Sequence, residues 1–72
     1  MMEIFDELVD QQKRKVLKAA LEIVPGLTAD DIMQPNDFPQ LEGHPGFRYE
    51  EGVLEGILTA RMAYLASLQG GV

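Results

Sequence analysis

Residues 52–68, GVLEGILTARMAYLASL, hold two charged side chains, Glu55 and Arg61, in seventeen positions. No proline interrupts them, and the apolar residues recur at steps of three and four, so the stretch reads as one helix. At about 100° per residue, Val53, Ile57 and Tyr64 share one arc, and Leu54, Leu58 and Leu65 share the arc beside it. The far side is small rather than charged: Gly52, Gly56, Thr59, Ala60, Ala63, Ala66 and Ser67 cluster there. Glu51 and Glu55 form a thin acidic ridge. A helix that is apolar or small nearly all round is a buried helix. One neighbouring helix covers one side of it, so the sequence predicts a second chain on another.

That first neighbour is legible at the other end of the chain. From about residue 2 to residue 24, Phe5, Leu8, Val9, Gln12, Val16, Ala19 and Ile23 fall on one helical stripe, which Leu17, Leu21 and Val24 widen. Acids fill the first ten residues and Lys13, Arg14, Lys15 and Lys18 follow, an order that suits the helix dipole and supplies the spaced pair Asp10–Arg14. Gln12, in mid-stripe, is expected at the edge of the apolar face with its amide reaching water. Pro25-Gly26 ends this helix, since proline cannot continue it and glycine tolerates a left-handed exit.

Between the two long helices the pattern predicts a short helix over about 29–34, capped by Thr28 and closed by Pro35. Leu27 and Ile32 occupy the positions of a hydrophobic staple, and Asp31 stands where a capping box prefers Glu. Residues 34–48, QPNDFPQLEGHPGFR, read as an ordered loop, pinned by Phe38, Leu41 and Phe47. The expected fold is therefore all-α: two long antiparallel helices, about 2–24 and 48–68, joined by the short helix and this Pro/Gly loop. The chain, 1–72, is one small domain with 69–72 as a frayed tail.

A lone chain of 72 residues buries only roughly 60% of its unfolded surface, so it depends on staples, good packing or a partner subunit. There is no cysteine, which removes disulfides and thiolate metal sites. The sequence thus predicts a homodimer resembling a four-helix bundle. Gly52-x-x-x-Gly56-x-x-x-Ala60 is a spacing that lets helix backbones approach closely. Glycine inside a helix costs about 1 kcal/mol relative to alanine, so two of them call for a packing reason. The expected interface comprises Gly52, Gly56, Thr59, Ala60 and Ala63; the same groove also suits the first helix near Ala19 and Ala20, and the sequence leaves that choice open.

Chemistry-bearing residues gather in EGHPGFRYEE, residues 42–51. Histidine beside carboxylates suits acid–base work and Arg48 suits an anion, which makes Phe38, His44, Arg48 and Glu51 the candidate ligand or partner site. The plainer reading has His44 capping the loop and Arg48 pairing with Glu50 or Glu51. A carboxylate metal site from Asp37, Glu42 and His44 lacks the Glu-x-x-His spacing of helical di-metal sites, and no metal or cofactor is expected. No serine, threonine or tyrosine has a histidine at motif spacing, and Gly43 and Gly46 lack the lysine of a phosphate loop.

Twelve acids against six bases give a formal charge of −6, which repels nucleic acid and anionic lipid. The basic run KRKVLK, residues 13–18, follows four acids on its own helix and reads as a salt-bridged, solvated face. The longest uncharged stretch, Met62 to Val72, has 11 residues against the roughly 18 a spanning helix needs. Glu3, Asp6, Glu7 and Asp10 do not fit a secretory leader, and the expected location is the cytoplasm. The expected function is a protein–protein interaction module acting as a homo-oligomer, with an unidentified protein partner as a further expectation. An enzyme or anion-binding protein with a dimer-cleft site at His44, Arg48 and Glu51 is the alternative.

Overall fold

A computed structural model describes residues 2–32 and 38–70. Among the described residues four helices follow one another: α1 (Met2–Ile23), α2 (Ala29–Ile32), α3 (Pro39–Glu42) and α4 (Pro45–Leu68). No strand occurs among the described residues. The long helices α1 and α4 run antiparallel as a hairpin, with Phe5 against Tyr64 at one end and Gln12 against Glu50 nearer the other. No helix among the described residues is long and apolar enough to cross a membrane.

The exit from α1 follows from Pro25-Gly26. Val24 N–H donates to the Ala20 carbonyl at 2.8 Å, and Gly26 takes φ of 91°, a left-handed conformation that disfavours a side chain. The chain then enters α2 through a reciprocal cap. Asp31 N–H donates to Thr28 Oγ1 at 3.4 Å, and Thr28 N–H donates to Asp31 Oδ2 at 3.0 Å. Asp31 thus does the work of the glutamate in a capping box. Leu27, on the near side of the expected staple, is buried; the Ile32 side chain, Pro35 and Asp37 lie outside the described residues.

Over 38–48 the structure corrects the expected loop. Pro39–Glu42 forms α3, and α4 starts at Pro45, three residues earlier than expected. The reason lies in the prolines themselves. Each opens its helix, where the missing N–H has no intrahelical partner to lose and the fixed φ already suits the helix. Gly43 links the two, its N–H donating to the Pro39 carbonyl at 3.1 Å.

This arrangement sets the core at one end of the hairpin. Val16 and Ala20 of α1, Leu27, Leu41 of α3 and Phe47 of α4 are buried together, with Ile23, Val24, Phe38 and Leu54 packed around them. Toward the other end, among the described residues, the two long helices have only each other. Phe5 and Tyr64 meet with ring centroids 5.5 Å apart, and Arg61 Nε donates to Asp6 Oδ1 at 3.2 Å. Beyond Leu68, the Gln69 and Gly70 amides donate to the Ala66 and Ser67 carbonyls. Residues 71–72 lie outside the described residues.

Gln12 also departs from expectation. It is 5% exposed, and its Nε2 donates to both the backbone carbonyl and the carboxylate of Glu50, each at 2.8 Å. A buried amide needs its donors used. Glu50, one turn inside α4, supplies both acceptors, so the side chain turns in rather than out to water.

Candidate functional site

Two surfaces follow from the sequence: the loop-to-helix junction around His44, and the small face of α4. At the junction, the His44 backbone is extended (φ −96°, ψ 115°) and its Nδ1 accepts from Phe47 N–H at 3.3 Å. It is an N-cap, holding one of the amides that a helix start leaves unpaired. The cap also fixes Phe47, whose ring is fully buried. Arg48, one turn on, lies on the outside and pairs with Glu51 at 3.2 Å. Phe38 is half-buried and packs against the core.

Each of the four candidate residues is engaged locally. His44 serves the backbone of α4, Arg48 and Glu51 serve one another, and Phe38 serves the core. Two shallow hollows among the described residues run along α1, one lined by Arg14, Leu17, Lys18, Leu21 and Glu22, the other by Lys15, Lys18, Ala19, Glu22 and Glu50. Neither includes His44, Arg48 or Glu51. No three Asp, Glu or His side chains among the described residues are grouped to hold a metal ion.

The small face of α4 points away from α1. Gly52, Gly56, Thr59, Ala60 and Ala63 are all exposed, and a methyl group added at Gly52 or Gly56 meets nothing within 4 Å. This bears on one half of the choice that the sequence left open. Within the chain, the glycine groove does not receive Ala19 and Ala20; α1 packs instead on the side bearing Leu54, Ile57, Tyr64 and Leu65, all half-buried. The bulky side chains on that arc offer α1 more apolar surface than glycines do.

The ion pair between Arg61 and Asp6 was not foreseen from the sequence. Arg61, the one base after Arg48, turns inward to Asp6. The outward surface of residues 56–70 then carries no charged side chain, and Met62, 69% exposed, flanks it beside Leu58 at 38%. The helical spacing of Asp6 and Arg61 on facing stripes was the available signal.

The chain matches no protein-family model, and comparison with curated proteins and with solved structures gives no match.

Proposed function

We propose that this chain is a small acidic helical interaction module of the adaptor, assembly-factor or regulator kind, acting as a homo-oligomer through the outward face of α4. The observation that carries the reading is the uncharged surface over residues 56–70, exposed in the single chain. Contiguous apolar surface of that kind marks an interaction site in a soluble protein. The two glycines, open on this side, let a second helix approach to backbone distance.

The thin core argues the same way. Among the described residues five apolar side chains are buried, while seven large ones are exposed, so the unpartnered apolar set outweighs the chain's own core. Packing two hairpins α4 to α4 gives a four-helix assembly in which Gly52, Gly56, Thr59, Ala60 and Ala63 line the seam. A reducing cytoplasm suits a chain without cysteine. The alternative, a ligand site at His44, Arg48 and Glu51, lacks such support because the local structure already employs each group.

Light scattering over a wide concentration range, run beside Gly56→Leu, tests the reading. A dimer that the leucine disrupts supports it. A well-folded monomer at every concentration overturns it.

A further inference from the structure

The face of α1 turned away from α4 carries a second pattern. Ile4, Glu7, Gln11, Arg14, Lys18 and Leu21 recur at steps of three, four, three, four and three, the spacing of a coiled-coil seam. All six are exposed, because α1 buries the opposite side with Gln12, Val16 and Ala20. Read forward, the seam runs apolar, acid, amide, base, base, apolar. Laid antiparallel on itself, it sets Ile4 opposite Leu21, Glu7 opposite Lys18 and Gln11 opposite Arg14, and two-fold symmetry supplies each pairing twice.

We propose that this face of α1 binds the same face of a second copy of this chain, antiparallel, with Glu7 of each copy against Lys18 of the other. Charge complementarity commits the proposal to a second copy. The acids in the first half of α1 (Glu3, Asp6, Glu7 and Asp10) precede Lys13, Arg14, Lys15 and Lys18, so antiparallel pairing puts each acidic half on a basic half. Beyond residue 23 the chain has seven acids against two bases. Residues 1–23, with five acids (Glu22 among them) against four bases, are nearly balanced, so two copies meet on α1 with the least net-charge repulsion.

Shape agrees with charge. The hollow lined by Arg14, Leu17, Lys18, Leu21 and Glu22 lies where this register places Ile4 of the other copy, an exposed apolar knob against an apolar floor. Arg14 is held by Asp10 within its own helix, while no ion pair among the described residues uses Glu7 or Lys18. This contact lies on the far side of the hairpin from the small face of α4. The two together extend assembly beyond a dimer, and each stands without the other.

A charge exchange tests it, in a Gly56→Leu background to isolate the α1 contact. Glu7→Lys alone and Lys18→Glu alone each set like charges opposite one another twice per pair, weakening self-association by about tenfold. An equimolar mixture of the two variants regains it, since each then faces the opposite charge in the other. Sedimentation velocity at low salt reads the masses, circular dichroism checks that these exposed substitutions leave the helices intact, and high salt abolishes the gain on mixing. A mixture that sediments no faster than its components overturns the proposal, as does a background chain that stays monomeric at low salt. If Gly56→Leu leaves the parent's mass unchanged, the α4 reading fails instead, and the charge exchange is still read as a fall from that mass in each single variant and its return on mixing.

Discussion

The side-chain amide of Gln12 donates from one nitrogen to two oxygens of Glu50, the backbone carbonyl and the carboxylate, each at 2.8 Å. Thirty-eight residues of chain separate the two. The bond fixes how far along α4 the helix α1 sits, in the stretch between the apolar core and the thinner end. Gln12→Ala is expected to cost about 2 kcal/mol, because a half-buried carboxylate loses its donor and a gap opens beside it. Glu50→Ala leaves the carbonyl contact in place and costs about half as much. In urea unfolding the double variant should show a coupling of about 1 kcal/mol. A coupling indistinguishable from zero means that the amide only fills space.

The uneven core predicts uneven stability. Val16, Ala20, Leu41 and Phe47 lie at one end, and the other is held by the Phe5–Tyr64 ring contact and the Asp6–Arg61 pair. An ion pair with both partners partly in water contributes at most about 1 kcal/mol. Amide hydrogen exchange at low protein concentration should therefore run about tenfold or more faster over residues 6–9 and 62–66 than over 16–20 and 47–54. Uniform protection along both helices would mean that the hairpin opens as one unit.

His44 is predicted to matter for stability through a single bond. Its Nδ1 accepts the Phe47 amide at 3.3 Å and so starts α4 where the buried ring needs it. His44→Ala should cost about 1 kcal/mol and His44→Asp much less, since aspartate is also a good cap. Thermal unfolding of the two variants compares them directly. Equal losses, or none, would show that Pro45 and the core set the helix start without the cap.

Much of this fold was legible in the sequence because the signals were local. The three-and-four spacing from Phe5 to Ile23, the break at Pro25-Gly26 and the Thr28–Asp31 cap each act within a few residues, and each is found in the structure. Pro39 and Pro45 were misread because proline signals a break and a first helical turn alike, and only the flanking geometry tells them apart. Gln12 was misread for a different reason: its partner Glu50 lies on the other long helix, and no periodicity within α1 announces an acceptor there. At the candidate site the plainer reading of the sequence named the tasks the structure shows, His44 as a cap and Arg48 as the partner of a neighbouring glutamate. The cap made by His44 and the Arg48–Glu51 ion pair depend on where α4 begins.

Glycine-to-alanine substitutions separate a solvated small face from a packed one. In a lone hairpin a methyl at Gly52 or Gly56 meets nothing within 4 Å, and alanine is favoured over glycine inside a helix by about 1 kcal/mol. Gly52→Ala and Gly56→Ala should then raise the unfolding midpoint in dilute solution. A second α4 seated at Gly56 opposes that gain, because the methyl holds the two backbones apart. Gly26, at φ 91°, supplies the contrast: Gly26→Ala strains the turn itself and should lose about 1 kcal/mol at every concentration. Midpoints measured for the three variants in dilute and concentrated protein decide the matter. Gly56→Ala is expected to forfeit its advantage as concentration rises while Gly26→Ala stays below the parent throughout. A gain at Gly56 that persists in concentrated protein would leave this face to solvent and remove the close α4 crossing.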